Sequence, residues 1–284
     1  MDRKLRIFPT LFVLGVTLFA HGVGEAGTIS ADRLKVTDVT PLAFSVIWAT
    51  SKPATCGLNV FLDAEGTAPY LEAAISPESS EHPPAEDTGV MKIRVVNLKP
   101  NTRYFFQTKT TFKNDGTVYL YPEGPPFIEV RTEESSIIVR NDMLTQQVIV
   151  PDGKSALGTL LIAHVGNASY PISGWTGDGV PDEWAAIDTN NFYDKEKHFN
   201  LELEGGEIIN LTLFAGCLSF VETQDTVPEE TGGIQQLKVK AILPDSDCLT
   251  VRPKVKVLPW IIFLLLDALE NENETPGTLQ EKAN

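Results

Sequence analysis

The sequence predicts an all-β protein made of two β-sandwich domains in tandem. From Ala31 to Thr132, apolar and polar residues alternate in short runs separated by turn residues, the pattern of strands with one buried face. Residues 137–258 also contain short strand-like runs and no long helical pattern, which favours a second β-rich domain. Between two runs of the first half, the heptapeptide from Leu98 to Tyr104 has the spacing of a tyrosine corner.

The first half has about seven candidate strands, the number that one sandwich domain needs. Their alternating residues are Leu34 and Val36; Phe44, Val46 and Trp48; Leu58 and Val60; Met91, Ile93 and Val95; Tyr104, Phe106 and Thr108; Val118 and Leu120; and Ile128, Val130 and Thr132. Between the third and fourth runs, the prolines and charges of residues 76–84 predict a solvated loop.

Three short elements resemble a fibronectin type III domain over residues 28–133: Val46-Ile47-Trp48, Pro53-Ala54-Thr55 and the heptapeptide from Leu98 to Tyr104. Trp48-Ala49-Thr50 and Pro53-Ala54-Thr55 are also similar to the module that precedes purple acid phosphatase-type catalytic domains. The resemblance implies two sheets packed face to face around Trp48 and Tyr104, and a role as a spacer or binding platform. Integrin adhesion and phosphatase activity are not implied, because the sequence lacks Arg-Gly-Asp and the metal-binding Asp and His motifs.

The second domain, residues 137–258, matches no family as a whole. Its candidate strands are Gln146 to Val150, Gly158 to Val165, Phe199 to Leu203, Glu207 to Phe214, Cys217 to Val221, and Ile234 to Leu243. Gly205-Gly206 predicts a hairpin turn between two of these runs.

The N-terminus predicts export. Basic residues precede an apolar run, Ile7 to Ala20, that is too short to span a bilayer, and Gly24 and Ala26 suit positions −3 and −1 of a cleavage site. Residues 1–26 therefore form a candidate signal peptide, with an uncleaved anchor as the alternative. Removal of the signal peptide would leave a secreted or cell-envelope protein without an integral membrane span. The kind of signal peptide suggests a bacterial source.

Charge and motif content narrow the function. With 38 acidic and 23 basic residues the formal net charge is −15, which argues against a nucleic-acid partner. Cys217 and Cys248 are candidate disulfide partners in an exported protein, leaving Cys56 as an unpaired thiol. The sequence contains none of the common hydrolase, metalloprotease or phosphate-binding motifs, so we expect a non-catalytic protein.

The segment from Gly174 to Trp184 is the candidate ligand site. Its Gly-Asp-Gly-Val-Pro-Asp-Glu-Trp run resembles part of the calcium loops of thrombospondin type 3 repeats. The candidate calcium ligands are Asp178, Asp182, Glu183 and Asp188. The alternative is a turn-rich loop whose Gly, Pro and Asp serve backbone geometry.

Trp175 and Trp184 are candidate ligand-binding aromatics, able to stack on sugar rings or to anchor a protein partner, with burial in the core as the alternative. Near the C-terminus, residues 259–270 contain an apolar run that suits a buried strand or docking helix, or else an exposed patch, and residues 271–284 have the composition of a disordered tail. The sequence thus predicts an exported binding or structural module with a protein or glycan partner at the cell surface. The alternative is a calcium-stabilised carbohydrate-binding or adhesive protein.

Overall fold

The computed structural model describes residues 34–134, 142–229 and 233–249, and the chain is mostly β in these ranges. The candidate signal peptide, the apolar run in 259–270 and the polar tail lie outside the described residues. Among the residues that are described, no helix has the length and apolarity needed to cross a membrane.

The first half contains two four-stranded sheets. Its strands are β1 (Lys35–Thr37), β2 (Ala43–Ala49), β3 (Ala54–Phe61), β4 (Ala74–Ser76), β5 (Val90–Val96), β6 (Arg103–Phe112), β7 (Val118–Tyr121) and β8 (Ile128–Arg131). One sheet has the order β1-β2-β5-β4, and in the other β6 pairs with β3 and with both β7 and β8. All of these pairs are antiparallel. The seven alternating runs of the sequence therefore correspond to strands, and β4 is an addition.

Side chains from both sheets form the first core. Phe44 and Met91 from one sheet and Leu58 and Phe106 from the other belong to the same buried cluster. The Trp48 indole N–H donates to the Thr110 hydroxyl at 2.9 Å, which satisfies its one polar group inside the core.

The tyrosine corner forms as its spacing predicts. Tyr104 is fully buried at the start of β6, and its hydroxyl accepts a hydrogen bond from the Lys99 backbone N–H at 2.9 Å. Asn101, at the bend, has a φ of 50°, a conformation that asparagine tolerates better than most residues. The contact fixes the crossing from β5 to β6.

The predicted solvated loop, residues 76–84, is exposed at Ser80, Glu81 and Pro83, but the rest of the segment is partly or fully buried. It contains a short 3-10 turn, Glu78–Ser80, and leads into a one-turn helix, α1 (Ala85–Thr88). Ser79 is buried, and its hydroxyl oxygen accepts a hydrogen bond from the Lys92 N–H at 2.6 Å. Because β5 and the second half supply partners for this segment, its prolines shape a packed turn instead of a free loop.

The second half also contains two four-stranded sheets. Its strands are β9 (Met143–Ile149), β10 (Leu160–Val165), β11 (Ile172–Trp175), β12 (Trp184–Asp188), β13 (Ile208–Gly216), β14 (Ser219–Thr226), β15 (Ile234–Gln236) and β16 (Ala241–Ile242). One sheet has the antiparallel order β11-β10-β13-β14. In the other, β9 pairs antiparallel with β12 and parallel with β15 and β16. A second core cluster includes Leu144, Leu161, Ile187 and Leu213.

Several predictions for this half are wrong: the predicted strand from Ile234 to Leu243 is two short strands, β15 and β16, and Cys217 lies in a turn before β14. Within the described range 142–229, residues 199–203 lie outside the strands, so Gly205-Gly206 does not join two paired strands. Leu201 and Leu203 still pack against the second core, which explains their alternation without a partner strand. The actual hairpin joins β13 and β14 through Cys217 and Leu218, whose φ values are 43° and 65°.

The sequence reading missed β11 and β12, which flank the candidate calcium loop. Gly174 in β11 lies against β12 so closely that an added Cβ would sit 1.9 Å from the Ala186 carbonyl oxygen. Glycine at this position is therefore a packing requirement, and residues 174–184 are not simply a loop.

Candidate functional site

The two halves meet through an apolar contact between sheet faces. All seven residues of β2 are buried, because Phe44, Val46 and Trp48 face the first core while Ile47 and Ala49 face the second half. The shared cluster consists of Ile47, Ala49, Ala85 and Val90 from the first half and Leu160, Ile162, Trp175 and Phe214 from the second. We call this set the junction cluster. Burial of apolar side chains from both halves stabilises their mutual position.

Asp38 is the polar anchor at the edge of the junction. Its backbone N–H donates to the Pro171 carbonyl at 2.9 Å, and its Oδ1 accepts from the Ser173 backbone N–H at 2.7 Å. The Ser173 hydroxyl donates to Oδ2 of the same carboxylate. Asp38 follows β1 with a φ of 53°, and its hydrogen bonds join the end of this short edge strand to β11 of the other half.

A buried lysine lies beside this anchor. Lys92 Nζ is 2.8 Å from Glu78 Oε2 and 3.5 Å from Asp38 Oδ2, and the side chains of Lys92, Asp38 and Glu78 are only 8, 12 and 16% exposed. We call these three residues the junction triad. In the β2–β5 register Lys92 is opposite Ile47, so it lies on the face that the second half covers.

The pKa of Lys92 reflects two opposed effects. Desolvation by burial lowers the pKa of the ammonium, whereas the charges of Asp38 and Glu78 and their hydrogen bonds raise it, with a net rise above its ordinary value. The two neighbouring carboxyl groups therefore keep the Lys92 amine protonated at neutral pH.

A cleft of about 610 Å³ opens above the triad and takes residues from both halves. Within it, the His82 and Trp175 rings stack with centroids 4.8 Å apart and an interplanar angle of 20°. Its charged lining consists of Glu78, Glu81, Lys92, Arg94, Asp178 and Asp188. The cleft thus offers both signs of charge beside an aromatic pair, which suits a polar ligand or partner surface.

The structure brings only some of the predicted calcium ligands together. Asp178 and Asp188 line the junction cleft, whereas Asp182 and Glu183 are absent from its lining. Asp188 is also the N-cap of the 3-10 turn Thr189–Asn191, where its side chain accepts from the Asn190 N–H at 3.0 Å. Within the ranges 34–134, 142–229 and 233–249, no group of three or more His, Cys, Asp or Glu side chains is arranged to hold a metal ion. Calcium binding therefore remains a prediction from the sequence.

The two tryptophans have different surroundings. Trp175 is 2% exposed and belongs to the junction cluster, as the alternative of burial in the core predicts. Its ring is covered by His82 and by apolar neighbours. Trp184 begins β12 and is half-buried. Trp184 is thus the better placed of the two for the predicted contact with a ligand.

Glu133 forms another polar contact between the halves. Its side chain is 2% exposed, accepts a hydrogen bond from the Ser169 hydroxyl and lies 3.0 Å from His198 Nδ1. No motif or local pattern of the sequence indicates a role for Glu133, Asp38, Glu78 or Lys92. Alternation alone places Lys92 on a solvent-facing side of β5, and nothing local shows that the second half of the chain covers that side.

The cysteines behave as their context predicts. Cys217 and Cys248 form a disulfide, and Cys56 is free and half-buried. Burial, with a contribution from the charge of Glu86, raises the pKa of the Cys56 thiol to about 12, which makes it a poor nucleophile. The Cys217 backbone N–H donates to the Thr88 carbonyl of α1, so the disulfide-bonded hairpin also touches the first half.

A second groove, of about 860 Å³, lies wholly in the second half. It is lined by the acidic residues Asp194, Glu202, Glu204 and Glu207, with Lys197 and the partly exposed Phe199. Its lining comes from the second half alone, so the junction cleft is the stronger candidate for a binding site that requires both halves.

No known protein-family model matches the chain, and a search of curated proteins returns no significant match.

Proposed function

We propose that this protein is an exported, non-catalytic binding or structural module in which two β-sandwich domains form one rigid unit. The first domain is of the fibronectin type III kind, and the junction cleft contacts a protein or glycan at the cell surface. The observation that carries the proposal is the buried junction, where Asp38 and the junction cluster join the halves.

The fibronectin-like assignment is supported by the sheet order and by the corner. A β1-β2-β5 sheet faces a sheet of β3, β6, β7 and β8 across a shared core, the arrangement of an antiparallel sandwich. The Lys99–Tyr104 hydrogen bond and the buried Trp48 are at the positions that the resemblance implies.

The rigid junction is supported by close packing at two further points. Gly216, with a φ of 89°, lies where an added Cβ would be 2.5 Å from Thr88 Cβ of the first half. Tyr170 of the second half packs against the first core. Domains joined by such contacts present a fixed surface, which lowers the entropic cost of binding a partner.

Export and binding are tested by one preparation. The full chain is produced in a bacterial host with its own N-terminus, and the mature protein is recovered from outside the cytoplasm. A mature N-terminus at Gly27 supports export, whereas cytoplasmic protein that retains Met1 contradicts it.

The recovered protein is then screened on glycan and surface-protein arrays, with Arg94→Glu as a variant of the cleft and Arg103→Glu as an exposed control outside it. Binding that Arg94→Glu weakens and Arg103→Glu leaves unchanged supports the junction cleft. Binding that both variants leave unchanged contradicts it.

The alternative is a calcium-stabilised carbohydrate-binding or adhesive protein. The observation in its favour is that Asp178 and Asp188 line the same cleft as Glu78 and Glu81. Calcium dependence separates the two proposals.

A further inference from the structure

The junction triad places an amine and two carboxyl groups in contact inside the protein. Lys92 Nζ lies 3.5 Å from Asp38 Oδ2 and 2.8 Å from Glu78 Oε2, and all three side chains are at least four-fifths buried. An ion trio of this kind is costly to bury, and a neutral group of similar volume in its place is often as stable or more stable. The amine and a carboxyl group could therefore react to form a neutral product instead of remaining an ion pair.

We propose that Lys92 and Asp38 condense spontaneously to an intramolecular amide, with Glu78 relaying the protons. The Lys92 Nζ–Asp38 Cγ bond forms and the Asp38 Cγ–Oδ2 bond breaks. The ammonium gives up two protons, both of which leave with the departing oxygen as one molecule of water. The reaction needs neither an oxidant nor an external reagent, and Glu78 ends in the ionised state in which it began.

Asp38 is the acceptor because its carboxyl group is held in position for attack. The Ser173 backbone N–H donates to Oδ1 at 2.7 Å, where it stabilises the negative charge that develops on that oxygen in the tetrahedral intermediate. The other oxygen, Oδ2, faces Lys92 and accepts from the Ser173 and Thr37 hydroxyls, which suits it as the leaving oxygen.

Glu78 is the proton carrier because it is closest to the amine. Its Oε2 lies 2.8 Å from Lys92 Nζ, on the 3-10 turn that precedes α1. Since the neighbouring carboxylates keep Lys92 protonated, a base inside the site must remove its proton before attack.

Proximity and burial favour the amide over the separated ions. Holding two reacting groups in contact is equivalent to an effective concentration of about 10⁵–10⁸ M in well-oriented intramolecular reactions. Condensation also replaces two buried charges by one neutral group. The water produced leaves through the junction cleft, which Glu78, Lys92 and Ser173 line.

The amide would join the end of β1 to β5 across β2. Because β1 has only three residues and leads into the contact with Ser173, the bond would hold the edge strand that anchors the second half. This inference concerns the junction itself and does not depend on export or on any ligand of the cleft.

The chain contains its own control. Lys113 Nζ lies 2.8 Å from Asp87 Oδ1 and 3.0 Å from Glu86 Oε2, so it too contacts two carboxylates, but its side chain is 38% exposed. Water solvates that group, and we expect Lys113 to stay unmodified.

The test is the mass of the reduced and alkylated full chain, with the N-terminus determined separately. We expect a mass lower than that of the sequence by one water molecule, and a digest in which the peptide of Asp38 is linked to that of Lys92. The Glu78→Gln variant should keep the full mass, and Asp38→Asn should lose ammonia in place of water. If the folded wild-type chain has the full mass of its sequence, with no water lost, the proposal is overturned. A link between Lys92 and Glu78 would overturn the choice of acceptor.

A cleavage experiment gives an independent readout if Glu78→Gln does not fold. A protease site is inserted after Leu71, which is 88% exposed and lies between Asp38 and Lys92 in the chain. The two fragments should remain joined on a reducing, denaturing gel for the wild-type background and separate for Lys92→Met. Separation in both backgrounds would contradict the amide.

Discussion

Asp38 in the first half and Ser173 in the second form a two-point contact, in which one carboxylate accepts from both the backbone N–H and the hydroxyl of the serine. The contact aligns the end of β1 with β11 and places Asp38 beside Lys92. It joins the two halves at the edge of the junction cluster, so the junction has polar as well as apolar contacts.

In the unlinked Lys92→Met background, Ser173→Ala should lower the free energy of unfolding by about 1.5–3 kcal/mol, because it removes a hydrogen bond to the Asp38 carboxylate while keeping the backbone N–H. Denaturant titration measures the change. Ser80→Ala is the matched control, since the Ser80 hydroxyl donates to the Pro77 carbonyl at an exposed turn. Equal effects of the two substitutions would show that the Ser173 contact adds nothing to the junction.

Trp175→Ala should lower the free energy of unfolding by about 3–5 kcal/mol, the usual range for truncating a buried aromatic side chain. Because Trp175 belongs to the junction cluster, the loss should fall on the contact between the halves and separate their unfolding transitions. Scanning calorimetry detects this separation. Trp184→Ala, at a half-buried position, serves for comparison, and an equal cost there would remove the special role of Trp175.

Reduction of the Cys217–Cys248 disulfide should destabilise the second half by about 3–4 kcal/mol, on the chain-entropy estimate for a bridge that spans 31 residues. Thermal unfolding with and without reductant measures the effect. The Cys217→Ser/Cys248→Ser double variant should have the same midpoint as the reduced protein. Reductant should lower the midpoint of Cys56→Ser by as much as it lowers that of the wild type. A midpoint that reductant leaves unchanged would contradict this prediction.

Calcium should leave the thermal midpoint unchanged if the module is not stabilised by a metal ion. A ligand present at a hundred times its Kd stabilises the native state by about 2.7 kcal/mol, so specific binding would be visible as a rise in midpoint. The protein is measured with calcium and with a chelator. If calcium raises the thermal midpoint and Asp178→Asn abolishes that rise, the calcium-stabilised alternative is favoured.

Local patterns predicted the first half well and the junction poorly. The alternation of Phe44, Val46 and Trp48 and the spacing from Leu98 to Tyr104 depend on neighbours in the same half of the chain, and both correspond to the structure. Lys92 and Glu78 instead lie beside a surface that residues far along the chain cover, and no local pattern indicates that contact. In the second half, Leu201 and Leu203 show that alternation reports burial of one side but not pairing with a neighbouring strand.

Scanning calorimetry of the full chain shows whether the two halves form one unit. We expect a single transition whose calorimetric and van't Hoff enthalpies agree, because neither half can unfold without exposing the junction cluster. Two resolved transitions in the wild-type protein, with one half remaining folded while the other unfolds, would contradict it.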